Sequence, residues 1–320
     1  MRSIERQVYR AALLVVVVIL SSVLRAGEPP SVELETRPDR IEIRIGGETL
    51  ADYVFRDDRI LRPYFANAHA PGTVLVTRRH PPVEGEDRSA DHAAMHPGIW
   101  LAFGDMGGSD FWRNRGRVEH LEFVGQPKAQ RAAAAFTVRN RYRDGERTVC
   151  FETCRHTIVA RPGGYFLTYD STFENSENAF SFGDQEEMGL GIRMDDSLRV
   201  KGGSGRILGS HGQLNEREVR GSTAKWCDYS GTLDGRRVGI VLMQHPENFR
   251  NSWYHARDYG LLVANPFGRK ALTGGEASTV TVEPGETLRL RYALYVYSSP
   301  QDTPPDYEAV YREYVEMDGG

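Results

Sequence analysis

The feature that most constrains the fold is a two-residue alternation of apolar and polar side chains, repeated in short runs along the chain. These runs cover residues 41–45, 73–77, 135–139, 165–169, 238–242 and 288–297. Turn-forming pairs such as Asp144-Gly145 and Asp234-Gly235 separate them. Such alternation places the apolar side chains on one face of a strand, and such turns join antiparallel neighbours. The sequence therefore predicts an all-β protein built as a large antiparallel β-sandwich.

A helix is predicted only near the C-terminus. Apolar residues recur there at three- and four-residue spacing, at Tyr307, Val310, Tyr311, Tyr314 and Val315. The preceding Pro304-Pro305-Asp306 is a helix-start signal. Strands and helices do not alternate, and neither common glycine-rich phosphate loop is present, which argues against a nucleotide-binding fold.

The N-terminus has the pattern of a secretory signal peptide. Three arginines precede an apolar run over residues 11–24, and Arg25-Ala26-Gly27 follows it. We expect residues 1–26 to be cleaved and residues 27–320 to form a single β-sandwich domain in a periplasmic or secreted protein. A permanent anchor is the alternative, although the run is shorter than the roughly 20 residues that span a bilayer.

The net charge of the chain limits which classes of binding partner we expect. Removal of residues 1–26, which carry four Arg and one Glu, changes the formal charge from −4 to −7. A mildly acidic chain has no electrostatic attraction to nucleic acid or to an anionic membrane. We therefore expect no nucleic-acid partner, and no membrane partner once the signal is cleaved.

The three cysteines do not form a disulfide framework. Cys150 and Cys154 lie in one alternating run, where four positions span about 13 Å, too far for a disulfide. Pairing of Cys227 with either one stays open, and buried free thiols are the favoured interpretation.

Residues 91–112 form a Gly-rich stretch with two histidines, three aspartates and two tryptophans, and with no regular periodicity. Irregular segments of this composition usually lie at a surface cleft. We take His92, His96, Asp105, Asp110 and Trp112 from it as candidate site residues. The alternative is a tight turn whose tryptophan is anchored in the core.

Residues 185–194 contain the best candidate carboxylate. Read as a strand, they place Met188, Leu190, Ile192 and Met194 on one face, and Glu187, Gly189, Gly191 and Arg193 on the other. Glycines weaken strands, so two on one face indicate that another group approaches the backbone closely. With Glu187 and Arg193 at its ends, this face would suit a polyhydroxylated ligand. The alternative is a solvent-exposed strand with an ordinary Glu–Arg pair.

A third polar cluster spans residues 251–260. If it is extended, Trp253, His255 and Arg257 share a face, which combines an aromatic plate, a titratable ring and a cation. Sugars bind such surfaces through their C–H faces and hydroxyl groups. The alternative makes Trp253 a core residue and His255 a satisfied buried histidine.

Several strings in these segments resemble the DUF6807 family, which often carries the label "methane oxygenase PmoA". They are MHPGIWLAFGD (95–105), DFW (110–112), GDQEE (183–187), WYHARDYG (253–260) and ANPFG (264–268). The resemblance runs over nearly all of the chain after residue 26. It implies a galactose-mutarotase-like supersandwich, a fold related to mutarotases, polysaccharide lyases and glycosidases. The methane monooxygenase subunit of that name is a multi-span membrane protein, whereas mean hydropathy here is −0.49, so this chain is not that subunit.

Mutarotase-like sites use a carboxylate base and a histidine acid on one concave sheet face. The resemblance therefore implies an exported carbohydrate-active enzyme of epimerase, lyase or glycosidase type, with Glu187 as base and His96 or His255 as acid. Substrate contacts are expected from His92, Asp105, Asp110, Trp112, Arg193, His245, Trp253 and Arg257.

Three alternatives stay open. The first is a non-catalytic carbohydrate-binding protein, and the second is a structural envelope protein without a groove. The third concerns a metal. We assign no metal ligand and expect no cofactor, but Asp91, His92 and His96, with Glu187 and His245 or His255, are residue types that bind divalent cations.

Overall fold

Two large antiparallel sheets stack face to face in the computed structural model, which describes residues 29–83, 87 and 91–317. The predicted signal peptide, residues 1–26, lies outside the described residues. Sheet I has eight strands and sheet II has nine. The predicted fold class, an antiparallel all-β sandwich with a short C-terminal helix, is confirmed.

Strands are numbered in chain order. In spatial order, sheet I contains β1 (Val32–Thr36), β2 (Arg40–Ile45), β3 (Glu48–Val54), β4 (Tyr64–Ala66), β7 (Ile99–Phe103), β14 (Met188–Arg193), β19 (Leu261–Asn265) and β18 (Trp253–Arg257). Sheet II contains β15 (Arg206–Gly209), β16 (Trp226–Leu233), β17 (Arg236–Gln244), β21 (Thr287–Pro300), β12 (Gly164–Glu174), β11 (Arg147–Arg161), β10 (Ala133–Asp144) and β8 (Arg117–Phe123), with β9 (Lys128–Gln130) also on β10.

Smaller elements complete the described part of the chain. Two short two-stranded sheets are β5 (His69–Ala70) with β6 (Val74–Leu75), and β13 (Phe180–Phe182) with β20 (Val280–Val282). The helices are a 3-10 turn (Asp196–Leu198), α1 (Asn215–Val219), α2 (Arg269–Thr273) and α3 (Tyr307–Met317). None of the helices described is long and apolar enough to cross a bilayer.

The main core lies between the two sheets, where the predicted alternation is visible strand by strand. On β14, Met188, Leu190 and Ile192 are fully buried in this core. Burying such a side chain contributes about 1.5–3 kcal/mol relative to leaving it exposed. Because this core takes one face of sheet I, the residues between them on β14 face outward, away from sheet II.

The absence of periodicity in residues 91–112 led to an incomplete prediction. Residues 99–103 form β7, a central strand of sheet I, and all five are buried. Ile99, Leu101 and Phe103 face the main core. Trp100 and Ala102 are buried on the outer face. They belong to what we call the outer cluster: Val54, Ile60, Tyr64, Ala66, Trp100, Ala102, Trp112, Leu261 and Val263. A strand buried on both faces needs no polar residues, so its sequence shows no alternation.

Two further sequence predictions have clear outcomes. The strand expected over residues 73–77 is only Val74–Leu75, followed by a single bridge from Thr77 to Met194. All three cysteines are free and buried, so the alternative in which Cys227 forms a disulfide is wrong.

The C-terminal helix α3 packs on the outer face of sheet II. Its Tyr314 is buried there against strand residues that include Val241 and Tyr295. The hydroxyl of Tyr307 donates to the buried Asp228 carboxylate at 3.0 Å. The helix therefore covers the outer face of sheet II and does not cover the outer face of sheet I.

Candidate functional site

The candidate site lies on the outer face of sheet I. The strand register places Trp100, Gly191, Val263 and His255 side by side on β7, β14, β19 and β18. Neighbouring strands are about 4.8 Å apart, so about 14 Å separates the backbones of Trp100 and His255. The three sequence segments singled out above therefore meet on one face, with His96 beside Trp100 and His255 at the far side.

Glu187 directly precedes β14 and is ion-paired. Its Oε1 lies 2.9 Å from Nη2 of Arg113, and both side chains are partly exposed. The Asp110 carboxylate accepts from the Arg113 backbone N–H at 2.9 Å and from its Nη1 at 3.1 Å. Asp110, expected to contact a ligand, thus orients Arg113 toward Glu187 instead.

Glu186, which sequence reasoning passed over, lies at the centre of a charged cluster. Its Oε2 accepts from Arg257 Nη2 at 2.9 Å, and its Oε1 accepts from Arg220. Arg257 also donates to Glu216 Oε1 at 2.9 Å, so both of its terminal nitrogens have protein partners. Strand alternation would turn Glu186 toward the core, but residues 185–187 precede β14 and that alternation does not apply to them.

His255 is buried beneath this cluster. Its Nδ1 donates to the Glu186 carbonyl at 3.0 Å, and its Nε2 lies 3.4 Å from Glu186 Oε2. Burial lowers the pKa of His255, as does the Arg257 cation, while the carboxylates of Glu186 and Glu187 oppose this. The ring is therefore neutral at neutral pH, with its proton on Nδ1. In that form Nε2 accepts protons, which does not favour the expected role as acid.

His96 lies on the same face of sheet I as His255, but beside β7. It is stacked on Trp100, with ring centroids 5.1 Å apart. Burial is the main reason that its pKa is well below the usual range, and the nearby Arg193 cation lowers it further. A neutral imidazole is again a poor proton donor, so the expected acid role is not favoured for His96 either.

The two glycines of β14 do not form an open ligand floor. A Cβ on Gly191 would lie 2.8 Å from Trp100 Cζ2 and 3.2 Å from Trp112 Cη2, so these indoles fill the space above it. Gly189 is approached by the backbone carbonyl of Ala264 on β19. Trp112 is fully buried in the outer cluster, so it packs inside the protein and does not offer a stacking surface.

Arg193 and Tyr259 lie between the two histidines. Arg193 is fully buried, its Nη2 is 2.9 Å from Asp91 Oδ1, and its guanidinium carbon is 4.5 Å from the Tyr259 ring. Burial raises the pKa of Tyr259, and the Arg193 and Arg257 cations oppose this, so the phenol is protonated at neutral pH. The sequence signal for Tyr259 was its position in the same WYHARDYG string.

The remaining residues predicted on this face are at its rim. His92 is exposed, its Nδ1 lies 3.4 Å from Asp91 Oδ2, and its ring centroid is 5.3 Å from that of His96. Trp253 is half-buried on the edge strand β18, bridged to Thr223 and paired with Asn265. Trp253 is therefore the more accessible of the two tryptophans predicted to contact a ligand.

Two predicted site residues lie elsewhere. His245 follows β17 in sheet II, with its ring 5.5 Å from Tyr314 of α3, so its predicted place in the site is wrong. Asp105 accepts from the Gly108 N–H at 3.2 Å and abuts Gly183, so its described contacts hold a turn. Both residues were chosen from composition and shared strings, which do not report which sheet a residue joins.

Within the described ranges, no group of three or more His, Cys, Asp and Glu side chains is arranged to hold a metal ion. The metal ligands considered from the sequence do not lie together. His245 is on sheet II, and His96 and His255 lie on the same face of sheet I but beside different strands, β7 and β18.

Two cavities lie beside the predicted site rather than in it. One of about 660 Å³ is lined by residues that include Arg62, Arg117 and His120. Another of about 470 Å³ is lined by residues that include Tyr64 and His80. Both border the segment between β3 and β4, and no residue predicted as catalytic or ligand-binding lines either one.

Comparison with known proteins gives a family. A model described as "Family of unknown function (DUF6807)" matches residues 40–310. No curated protein matches the sequence significantly. The methane oxygenase label finds no support in these comparisons.

Solved structures similar to the chain include galactose mutarotase-like proteins. One from Clostridium acetobutylicum is 10% identical, with a TM-score of 0.38, over 85% of this chain and 99% of that one. One from Lactobacillus casei is 12% identical, with a TM-score of 0.37, over 83% and 99%. An α-galactosidase from Lactobacillus brevis is 8% identical, with a TM-score of 0.36, over 84% of this chain and 40% of that one. At such scores and identities the likeness carries no argument about activity.

Proposed function

The chain belongs to the DUF6807 family, and from that premise and the geometry of sheet I we propose that it is a carbohydrate-active enzyme that uses the outer face of this sheet. The family resemblance in the sequence implies the same substrate class. The N-terminal pattern supports a periplasmic or secreted location.

One observation carries the proposal: the protonated phenol of Tyr259 and the carboxylate of Glu187 lie on the same face, near enough for the carboxylate charge to act on the phenol. Glu187 raises the pKa of Tyr259, alongside the larger effect of burial. The Tyr259 hydroxyl has no hydrogen-bond partner among the described residues, and Glu187 is partly exposed. Proton transfer at a sugar needs a donor and an acceptor that reach one substrate. We assign Glu187 as proton acceptor and Tyr259 as proton donor.

His255 has a supporting role in this scheme. Its Nδ1 hydrogen bond to the Glu186 carbonyl holds residues 185–187 over β18 and β19. Arg257 and Arg220 fix the Glu186 carboxylate, and Arg113 fixes that of Glu187. Fixed carboxylates and guanidinium groups are suited to sugar hydroxyl groups, which donate and accept hydrogen bonds in defined directions.

The alternative function is carbohydrate binding without turnover. The observation that favours it is that both Glu186 and Glu187 are ion-paired with arginines. Paired carboxylates serve well as stationary hydrogen-bond acceptors.

The test is incubation of the purified chain with free sugars and oligosaccharides, with products followed by mass and by NMR of the anomeric and ring protons. We expect a new product or an accelerated isomerisation. Glu187→Gln and Tyr259→Phe should each reduce turnover by about 100-fold or more, the usual contribution of a positioned acid or base, while sugar binding persists.

The matched control is Glu174→Gln. Glu174 is also ion-paired with an arginine, Arg139, at 3.3 Å, but it lies on sheet II. This variant should turn over normally. Binding without any product would favour the non-catalytic alternative, and normal turnover by Glu187→Gln would remove Glu187 as the proton acceptor.

A further inference from the structure

Among the buried side chains on the outer face of sheet I, five around Trp100 carry nitrogen atoms with no hydrogen-bond partner among the described residues. These atoms are Nε of Arg62, Nδ1 of His96, Nε1 of Trp100, Nε1 of Trp112, and Nε and Nη1 of Arg193. At least nine tenths of buried polar groups in proteins are paired. A group of unpaired ones on a single face therefore points to a ligand that supplies acceptor atoms.

These side chains are contiguous. The His96 ring stacks on Trp100 and meets Trp112 edge-on, with centroids 5.9 Å apart. The Arg62 guanidinium carbon lies 5.9 Å from the Trp100 ring. Asp91 contacts both Arg193 and His92, and His92 is next to His96. The unpaired nitrogen atoms thus belong to one patch, which we call the donor patch: Arg62, His96, Trp100, Trp112 and Arg193.

The donor patch contains more positive than negative charge. Arg62 donates to the carbonyls of Trp112 and Met95 and to the side-chain oxygen of Asn114, and no carboxylate pairs with it among the described residues. Arg193 has one carboxylate, that of Asp91, which it shares with Arg78. Burial lowers the pKa of Arg62 to about 9 and that of Arg193 to about 10. Buried cations without full compensation are costly, and a bound anion would offset that cost.

Arg193 itself is fully buried, but the groups that lie over it are partly exposed. The side chain of Asp91, which contacts it, is 42% exposed, and His92 beside it is 46% exposed. Tyr259, which covers the guanidinium, is only half-buried. An anion that displaced Asp91 would therefore meet the Arg193 guanidinium next to Tyr259, which is assigned above to proton transfer.

We propose that the sugar recognised on this face carries a carboxylate, as uronic acids do, and that Arg193 binds that carboxylate. This inference rests on the proposed function, because it names the substrate class of the same site. A guanidinium binds a planar carboxylate through two parallel hydrogen bonds, and the titration below distinguishes a carboxylate from a phosphate ester. Asp91 occupies part of the Arg193 guanidinium and competes with the ligand for it.

The test is calorimetric titration of the full chain with D-glucuronate and D-galacturonate against D-glucose and D-galactose. We expect the uronates to bind at least about tenfold more tightly, because a hydrogen bond between two charged groups is stronger than one between neutral groups. Arg193→Met should remove that preference.

Arg291→Met is the matched control. Arg291 is also a buried strand arginine that pairs with a carboxylate, that of Glu247, but it lies on sheet II. Both variants lose a buried guanidinium, and only Arg193→Met should lose the uronate preference. Asp91→Asn, at a partly exposed position, should tighten uronate binding several-fold, because it removes the competing carboxylate.

The outcomes separate this inference from the function on which it rests. Equal binding of neutral and acidic sugars, tighter binding of glucose 6-phosphate than of glucuronate, or an Arg193→Met protein that keeps the preference would each overturn the carboxylate assignment and leave a sugar site. Arg193-dependent binding of glycolate, with no binding of any sugar, would instead overturn the proposed function and keep an anion site. If Arg193→Met does not fold, the wild-type comparison and Asp91→Asn decide.

Discussion

Glu187 Oε1 and Arg113 Nη2 lie 2.9 Å apart, and this pair joins the loop after β7 to the start of β14. Two segments more than 70 residues apart in sequence are thereby fixed to one another on the outer face of sheet I. Asp110 also pairs with Arg113, so the position of the Glu187 carboxylate depends on both Arg113 and Asp110.

Arg113→Met should therefore impair turnover far more than stability. Partly exposed ion pairs contribute only about 0–1 kcal/mol, so the free energy of unfolding should change little. Loss of carboxylate positioning should lower kcat/KM by about 10- to 100-fold, the range that misplacement of a reacting group produces. Kinetics and thermal melts on the same preparations make the comparison, with Arg139→Met on sheet II as the control. A large loss of stability with unchanged kcat/KM would contradict the positioning role.

Gly191→Ala should destabilise the protein, because the added Cβ would lie 2.8 Å from Trp100 Cζ2. Overpacking of this kind costs about 1–3 kcal/mol in the free energy of unfolding. The matched experiment is a double-mutant cycle with Trp100→Phe, whose smaller ring makes room for the new methyl group. Denaturant unfolding should be measured for the wild type, the two single mutants and the double mutant. The double mutant should lose less stability than the sum of the two single-mutant losses. Simple additivity would mean that the contact with Trp100 is not the cause.

Acid should destabilise the fold through its buried histidines. Burial lowers the pKa of His156 to about 3, whereas that of an unfolded histidine is about 6.5. Between these values the unfolded chain binds more protons, so stability is lost as the pH falls below about 6.5. In the His156→Gln protein the unfolding free energy should decrease less steeply as the pH falls. The slope should be smaller by up to about 1.4 kcal/mol per pH unit. The exposed His211→Gln should leave the slope unchanged, and an identical slope in both variants would be the contrary result.

Tyr307→Phe should loosen the C-terminal helix. Asp228 is fully buried and accepts from the hydroxyls of Ser230, Tyr297 and Tyr307. Loss of one donor to a buried carboxylate costs about 1–3 kcal/mol. Thermal melts should show this loss for Tyr307→Phe and not for Tyr311→Phe, a half-buried tyrosine on the same helix without a hydrogen bond among the described residues. Equal losses in the two variants would mean that the effect does not come from the hydrogen bond to Asp228.

A thiol reagent should label no cysteine quickly in the native protein and three after denaturation. Cys150, Cys154 and Cys227 are free and buried, and burial raises the pKa of each thiol well above its usual value. Because the thiolate is the reactive form, both access and ionisation slow the reaction. Fewer than three reactive thiols in denaturant would reveal a disulfide.

The sequence predicted those features that depend on neighbouring residues. The alternation in β14 identified Met188, Leu190 and Ile192 as core residues and turned Gly191 and Arg193 outward. It likewise turned Trp253, His255 and Arg257 to one face of β18. These predictions succeeded because side-chain direction in a strand is a local property with period two.

Only the tertiary structure decided what covers each outward face, because burial there depends on segments that are distant in the chain. The sequence could not show that Trp100 and Trp112 fill the space above Gly191, or that Arg113 pairs with Glu187. Nor could it place His245 on sheet II, since the identity of a strand's neighbours is set by chain topology and packing. Glu186 was missed for a related reason: its segment leaves the strand, and the alternation no longer reports where its side chain points.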